Sequence, residues 1–457
     1  MVFSSLTFLA LFLPVFILAY YLIPGKYVRG KNIVLLVFSL VFYASGEPVW
    51  VVLLIFSGLL DYTIGLFITK YRGKWQAKAL LGLSLCGNLG LLVLMKYMAF
   101  FLSLAGLSVA FAPTLPIGIS FYTFQTMSYT LDLYKGEAKP QRDPIAFLSY
   151  VAMFPQLVAG PIVRYADIGE RLTSRRTTVS GFSDGVTRFA AGLGKKVIFA
   201  NHAGKIATEL LGAGAASTST AGAWLGVLMF MFQIYFDFSG YSDMAIGLGK
   251  MLGFDFKENF DHPYVSKSIT EFWRRWHISL STFFRDYIYI PMGGNRRRAV
   301  FNILFVWLLT GLWHGASVNF ILWGLYYGVV LLVEKYVLRS ILEKIPAFLS
   351  HIYSLLIILF GWLIFYFTDL GELFAYAARF WGAGGYMTDH RTTELFFANL
   401  WILPVFALFS TKIPSIAAER LKSVLPVSEH LINLALMCAS FALLIGQSFN
   451  PFLYFRF

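Results

Sequence analysis

Apolar residues fall in long runs along this chain, separated by short clusters of charged and turn-forming residues. A helix needs roughly 20 apolar residues to cross the hydrocarbon core of a bilayer. Runs of this kind cover 3–22, 32–46, 49–68, 79–103, 116–134, 144–163, 183–211, 222–252, 299–313, 317–338, 350–368, 395–411 and 429–448. Two or three are short enough to be re-entrant. The pattern predicts an all-α polytopic membrane protein with about 11 crossings. Met1–Leu22 carries no charge before Lys26 and reads as a retained first span, not a signal peptide with a basic leader.

Orientation follows from the basic loops. Lys26, Arg29 and Lys31 form the first loop; Lys70, Arg72, Lys74 and Lys78 form the next on the same side. The intervening tip, Gly46-Glu47-Pro48, has no cation. Cytoplasmic loops carry the excess of Lys and Arg, so the N-terminus is expected outside.

Composition strengthens the class assignment. Of 457 residues, 58% are hydrophobic and 13% charged. An ordinary globular domain carries about 25% charge, so this chain cannot cover a soluble core of its size. Disorder goes with low hydrophobicity and is excluded. The net charge of +13 sits in short loops, which suits an anionic membrane face better than nucleic acid. Cys86 and Cys438 lie within apolar runs and offer neither a disulfide framework nor metal-ligand spacing.

The middle of the chain places polar groups inside apolar spans: Asp132, Asp237, Ser239, Tyr241, Ser242 and Asp243. Such groups are costly at membrane depth and face an interior cavity or a partner; placement at the interface is the alternative for any single Asp. From Glu271 to Pro291, a helical period sets Trp273, Trp276, His277, Leu280, Phe283, Phe284 and Tyr287 on one side. Arg274, Arg275, Ser279, Thr282, Arg285 and Asp286 fall on the other. This predicts a single amphipathic helix lying in the interface or lining a polar entry. His277 is then either a packed imidazole or one that faces the site.

In Leu308–Trp323, His314 follows Trp313, ends an apolar run and is followed by Gly315, Ala316 and Ser317; Asn319 opens the next run. Small residues let a substrate or helix approach the imidazole; an interfacial structural histidine is the alternative. An imidazole titrates near neutrality and serves as a general base. A hydroxyl attacking a thioester needs such a base. The chain contains no His-x4-Asp, His-Glu-x-x-His, Walker A or Cys-x-x-Cys pattern. Gly181-Phe-Ser183-Asp-Gly185 matches a nucleophile elbow in letters, but it opens an apolar helical run and reads as a helix start capped by Ser180 or Ser183.

These residues carry a resemblance. Ser120-Phe-Tyr-Thr-Phe-Gln125, Phe154-Pro-Gln-Leu-Val-Ala-Gly-Pro161, Asp237-Phe-Ser-Gly-Tyr-Ser-Asp243, Phe272-Trp-Arg-Arg-Trp-His277, Arg285-Asp-Tyr-Ile-Tyr-Ile-Pro-Met-Gly-Gly294 and Gly311-Leu-Trp-His-Gly315 stand between Met1-Val-Phe-Ser-Ser5 and the terminal Asn450–Phe457. The chain resembles the membrane-bound O-acyltransferase family, most closely its bacterial alginate O-acetyltransferase-like branch, almost end to end.

The resemblance implies one domain over 1–457, with N-terminal spans in 1–110, a catalytic core in 111–340 and C-terminal spans in 341–457. Re-entrant and in-plane helices would surround a funnel. It implies that His314 and His277 are catalytic and that no metal is bound. Trp273, Arg274, Arg275, Trp276, Arg285, Asp286, Tyr287, Asp237, Tyr241, Asp243, Trp313 and Asn319 would bind or position substrate. The reaction implied moves an acyl group, acetyl by preference, from a cytoplasmic donor to a cell-surface polysaccharide hydroxyl. The donor would be acetyl-CoA or an acyl-carrier phosphopantetheine. The setting is the bacterial inner membrane, and an extracytoplasmic partner transferase would complete the transfer. D-alanyl transfer to teichoic acid keeps the same fold, and a transporter of acyl groups is a different class that the intramembrane aspartates allow.

Overall fold

A computed structural model describes residues 1–107, 115–157, 160–384, 386–446 and 452–453. Val158 and Ala159 of the Phe154–Pro161 motif lie outside the described residues, as does the terminal Asn450–Phe457 motif apart from Phe452 and Leu453. Among the described residues every regular element is helical.

Five helices are long and apolar enough to cross a membrane: Val51–Lys70, Trp75–Leu104, Thr220–Met251, Val318–Leu342 and Ala347–Tyr366. His390–Asn399 and Ile402–Phe409, bent by 60° at their junction, make a sixth if counted as one broken span. Phe8–Leu22, Ala299–His314 and Ser428–Leu444 are apolar but shorter. The hydropathy runs are longer than several of the helices they contain. The run 144–163 breaks into Pro144–Ala152 and Phe154–Leu157, and 183–211 is interrupted by a π turn at Lys195–Ala200. The helix beginning at Val179 starts where the Gly181–Gly185 stretch was expected to start one, but Thr178 Oγ1, not Ser180 or Ser183, accepts the Gly181 N–H at 3.0 Å.

Contacts gather in two compact units: the described residues of 1–193, 241–258 and 441–456, and those of 194–240 and 259–440. In the first unit a polar cluster ties three helices together. Asp61, fully buried on Val51–Lys70, accepts hydrogen bonds from Ser84 Oγ at 2.6 Å and Asn88 Nδ2 at 2.7 Å. Ser84 also meets Thr130 Oγ1 of Ile119–Lys135 at 3.0 Å. Where no water is available, such bonds between helices satisfy groups that would otherwise remain costly. Asp243 lies in this unit too, against Arg188, which also reaches Glu258. Tyr241 stacks on Phe3, with centroids 4.5 Å apart.

In the second unit, Ala299–His314 and Val318–Val333 form a tight hairpin that packs against Ala347–Tyr366. A β-carbon on Gly311 would stand 2.2 Å from the Phe320 carbonyl oxygen. Only glycine allows the two helices this close. Asp237, on the Thr220–Met251 helix, pairs with Lys196 at 2.5 Å; both side chains are buried.

The stretch 271–291 differs from the continuous helix its periodicity predicts. It runs as Ile269–Arg275, breaks at Trp276 and His277, resumes as Ile278–Phe284 and ends in a π turn at Arg285–Tyr289. The cause is local. His277 has φ 44° and ψ 54° in the left-handed region, and the Ile278 N–H is taken by the Asn259 carbonyl at 3.0 Å rather than by a helical partner. The left-handed conformation costs a non-glycine residue about 1–2 kcal/mol.

Candidate active site

His314 is the last residue of its helix, because Gly315 turns extended at φ −169° and ψ 157°. A β-carbon at Gly315 would meet the Phe320 ring at 2.2 Å, so the turn can close over the imidazole only with glycine there. His314 is 6% exposed and ringed by aromatics, with centroids of Trp323, Trp313 and Phe365 at 4.9, 5.0 and 5.3 Å. His277 is 1% exposed, edge-on to Phe238 at 4.8 Å and Trp313 at 5.8 Å. Trp313 therefore touches both imidazoles.

Both histidines line one cavity of about 700 Å³, within the range of small-molecule and cofactor sites. Its wall is aromatic where the histidines sit: Trp273, Trp276 and Trp307. It is also lined by Arg274, Arg285, Lys335 and Arg339, of which Arg274, Arg285 and Arg339 are exposed and form its rim. Asp286 pairs with Arg285, and Glu343 with Arg339. Among the described residues no carboxylate pairs with Arg274 or Lys335, so the rim keeps a positive balance. Asn295 fixes one side of it, accepting from Tyr289 OH at 2.7 Å and Lys335 Nζ at 2.5 Å.

Beneath the rim, Glu334 is buried and used as a cap. Its oxygens accept from Ile269 N at 2.5 Å, Thr270 N at 2.8 Å and Thr270 Oγ1 at 2.7 Å. These are orphan donors of the first helical turn, so the Val318–Leu342 helix holds the start of the segment that ends at His277. Burial pushes the His277 imidazole well below its usual value, to about 3, so the ring is neutral.

Of the residues singled out from sequence, His277, His314, Trp273, Arg274, Trp276 and Arg285 meet on this cavity, with Trp313 between the histidines. The others stand elsewhere. Arg275 is held by Glu271 and Asp261, and Tyr287 packs on Phe283 at 4.7 Å. Asn319 donates to the carbonyls of Ile364 at 3.3 Å and Phe365 at 3.4 Å, tying its helix to Ala347–Tyr366. Asp237 and Asp243 are in ion pairs, and Tyr241 is stacked in the other unit. Sequence reasoning missed Glu334, Lys335, Arg339 and Asn259. The signal for the first three was the Glu-Lys pair and the Arg four residues on, at the polar end of an apolar run. Asn259 left none. Among the described residues no three His, Cys, Asp or Glu side chains gather as a metal site would require.

Comparison with known proteins gives this geometry a relationship. The profile of MBOAT, the membrane-bound O-acyltransferase family, matches residues 138–371, a stretch that includes both histidines. The chain is 39% identical to "Probable alginate O-acetylase AlgI" of Pseudomonas putida, covering 100% of both chains. It is 32% identical to the peptidoglycan O-acetyltransferase of Helicobacter pylori, over 86% of this chain and 82% of that one. It is 30% identical to the teichoic acid D-alanyltransferase of Bacillus subtilis, over 47% of this chain and 58% of that one. A full-length match, a family profile over residues 138–371 and several apolar helices lead to one conclusion: the chain belongs to the membrane-bound O-acyltransferase family, in its alginate O-acetylase-like branch.

Proposed function

We propose that this membrane O-acyltransferase takes an acetyl group from a cytoplasmic thioester and delivers it to a cell-surface polysaccharide hydroxyl, directly or through an extracytoplasmic partner. The observation that carries this reading is the cavity itself: one chamber lined by two buried histidines, three tryptophans and four cations. The cationic rim suits the phosphates of CoA or of a phosphopantetheine arm. The aromatic wall suits an uncharged acyl group and excludes water.

His314 acts as the base. The hydroxyl oxygen forms a C–O bond with the acyl carbon, the C–S bond breaks, and the proton passes through the imidazole to the leaving thiolate. Base catalysis of this kind is worth about 10²–10⁴-fold. His277 and Trp313 position the reactants, with Trp273, Trp276, Arg274 and Arg285 around the donor. Arg275, Asp286, Tyr287, Asn319, Asp237, Tyr241 and Asp243 hold the scaffold. In this reading residues 1–457 form one domain of about 11 crossings and re-entrant helices around a funnel. It sits in the bacterial inner membrane with the N-terminus outside.

The test is acyl transfer by purified protein in detergent, with labelled acetyl-CoA and a polysaccharide acceptor. His314→Ala is expected to remain folded and to lose transfer. Wild-type transfer by that variant would overturn the assignment. The similarity to a teichoic acid D-alanyltransferase favours a second reading in which the donor is an aminoacyl carrier protein; labelling from each donor separates the two.

A further inference from the structure

Asn259 is fully buried in the connector that precedes Ile269–Arg275. Its backbone lies alongside the break at His277. The Asn259 carbonyl accepts from Ile278 N at 3.0 Å, and Asp261 N donates to the Arg275 carbonyl at 2.9 Å. Its side-chain oxygen accepts from Ser279 N at 3.2 Å and from Ser279 Oγ at 2.8 Å, and it also faces His277 Nδ1 at 3.2 Å.

The Ser279 backbone N–H only donates, so the Asn259 atom that meets it is the amide oxygen. That oxygen has only lone pairs to offer His277 Nδ1, and Ser279 Oγ, 3.5 Å from the same nitrogen, gives its hydrogen to Asn259 at 2.8 Å, so Nδ1 carries the hydrogen. A neutral imidazole has one bare nitrogen, which must then be Nε2. His277 Nε2 is buried and, among the described residues, meets no hydrogen-bond partner. Phe238 and Trp313 fence the ring without charge. The other charged and titratable groups that line the chamber are Arg274, Arg285, Tyr289, His314, Glu334, Lys335, Arg339 and Glu343.

We infer that Asn259 is a positioning residue of the transfer site: through its side-chain oxygen it locks His277 in the Nδ1–H form, so that Nε2 accepts a hydrogen bond from an O–H or N–H of bound substrate. The role in transfer rests on the proposed function; the tautomer does not. It also explains the left-handed backbone at His277, which turns the ring to Asn259 at a cost the clamp offsets.

The test uses full-length protein in nanodiscs with ring-¹⁵N histidine. The His277 signals are identified by their loss in His277→Gln. Between pH 8 and 5 the wild type is expected to show Nδ1 protonated and Nε2 bare. Asn259→Leu is expected to mix the tautomers and to lower turnover about 10²-fold, leaving the donor KM within about twofold. Asn259→Asp is nearly isosteric and covers the case in which the leucine variant does not fold. It is expected to keep Nδ1–H, to recover most of the turnover, and to add an acid limb as the carboxylate draws the imidazole's titration upward. A protonated Nε2 in the wild type, a cationic ring at neutral pH, or wild-type turnover in Asn259→Leu would overturn the inference. If no acyl transfer is found at all, the proposed function falls while the ¹⁵N result still decides the tautomer.

Discussion

Glu334 accepts both the backbone N–H and the hydroxyl of Thr270, at 2.8 and 2.7 Å. The carboxylate thus belongs to one helix and caps another, the one that carries Trp273 and leads to His277. Glu334→Gln replaces an acceptor with an amide N–H against these donors, leaving buried donors unmet at about 1–3 kcal/mol. We expect a lower unfolding temperature and a loss of turnover larger than the change in donor KM. Glu334→Asp keeps the charge and is expected to recover part of both. Steady-state kinetics beside thermal unfolding in detergent decides the matter, and a Gln variant with wild-type turnover sinks the positioning role.

In the proposed function the rim cations act on binding. Arg274→Ala and Lys335→Ala are expected to raise the KM for a phosphate-bearing donor by about 5- to 100-fold, the range of charge-assisted hydrogen bonds of about 1–3 kcal/mol. Turnover at saturation should change little. The effect should shrink with added salt, because exposed charges are screened. A donor fragment without phosphates should show no difference between variant and wild type.

In the proposed function the Lys196–Asp237 pair belongs to the scaffold. Removing one partner of a buried pair costs about 3–5 kcal/mol, because the other charge is stranded. Asp237→Leu is expected to cut the yield of folded protein. The double change Asp237→Leu with Lys196→Met should restore much of it, since apolar replacement of a whole pair is often neutral. Activity per folded molecule in the double variant should stay near wild type; its loss would place Asp237 in the chemistry.

His277 gives stability a pH slope. Its folded value is lowered to about 3, whereas an unfolded histidine titrates near 6.5. Below that pH the unfolded chain binds a proton that the folded chain refuses, so stability falls as pH drops, by up to about 1.4 kcal/mol per unit. The slope ends near pH 3, where the folded ring also takes its proton. His277→Gln is expected to flatten the unfolding temperature between pH 6.5 and 5 relative to wild type. An unchanged slope would mean that the folded ring titrates like the unfolded one.

Much of this was legible in the chain. The apolar runs gave the helical class, and His314 stood at a run's end beside glycine, where it is found. Periodicity put Trp273, Trp276 and His277 on one stripe, and all three line the cavity. It failed at the backbone: no local propensity marks His277 as left-handed, because the cause is Asn259, 18 residues earlier, a pairing visible only once the connector folds back. The same limit applies to Asp237 and Asp243. Their polarity was plain, but their partners Lys196 and Arg188 lie 41 and 55 residues away, so sequence could not separate an ion pair from a substrate contact. Glu334 lies inside the apolar run 317–338, and nothing in that run shows that it caps a helix 64 residues earlier.

The π turn at Glu334–Leu338 carries one more residue than an α-helical turn would hold. Leu331 before it and Arg339, Leu342 and Glu343 at or beyond its end all reach the same cavity. Deleting one residue inside the turn would mend the backbone ladder and yield a more regular helix. It would also swing everything downstream by about 100° and carry Arg339 away from the chamber. Single-residue deletions in this segment therefore set local regularity against the placement of Arg339, so the irregular turn is what keeps that cation on the chamber wall.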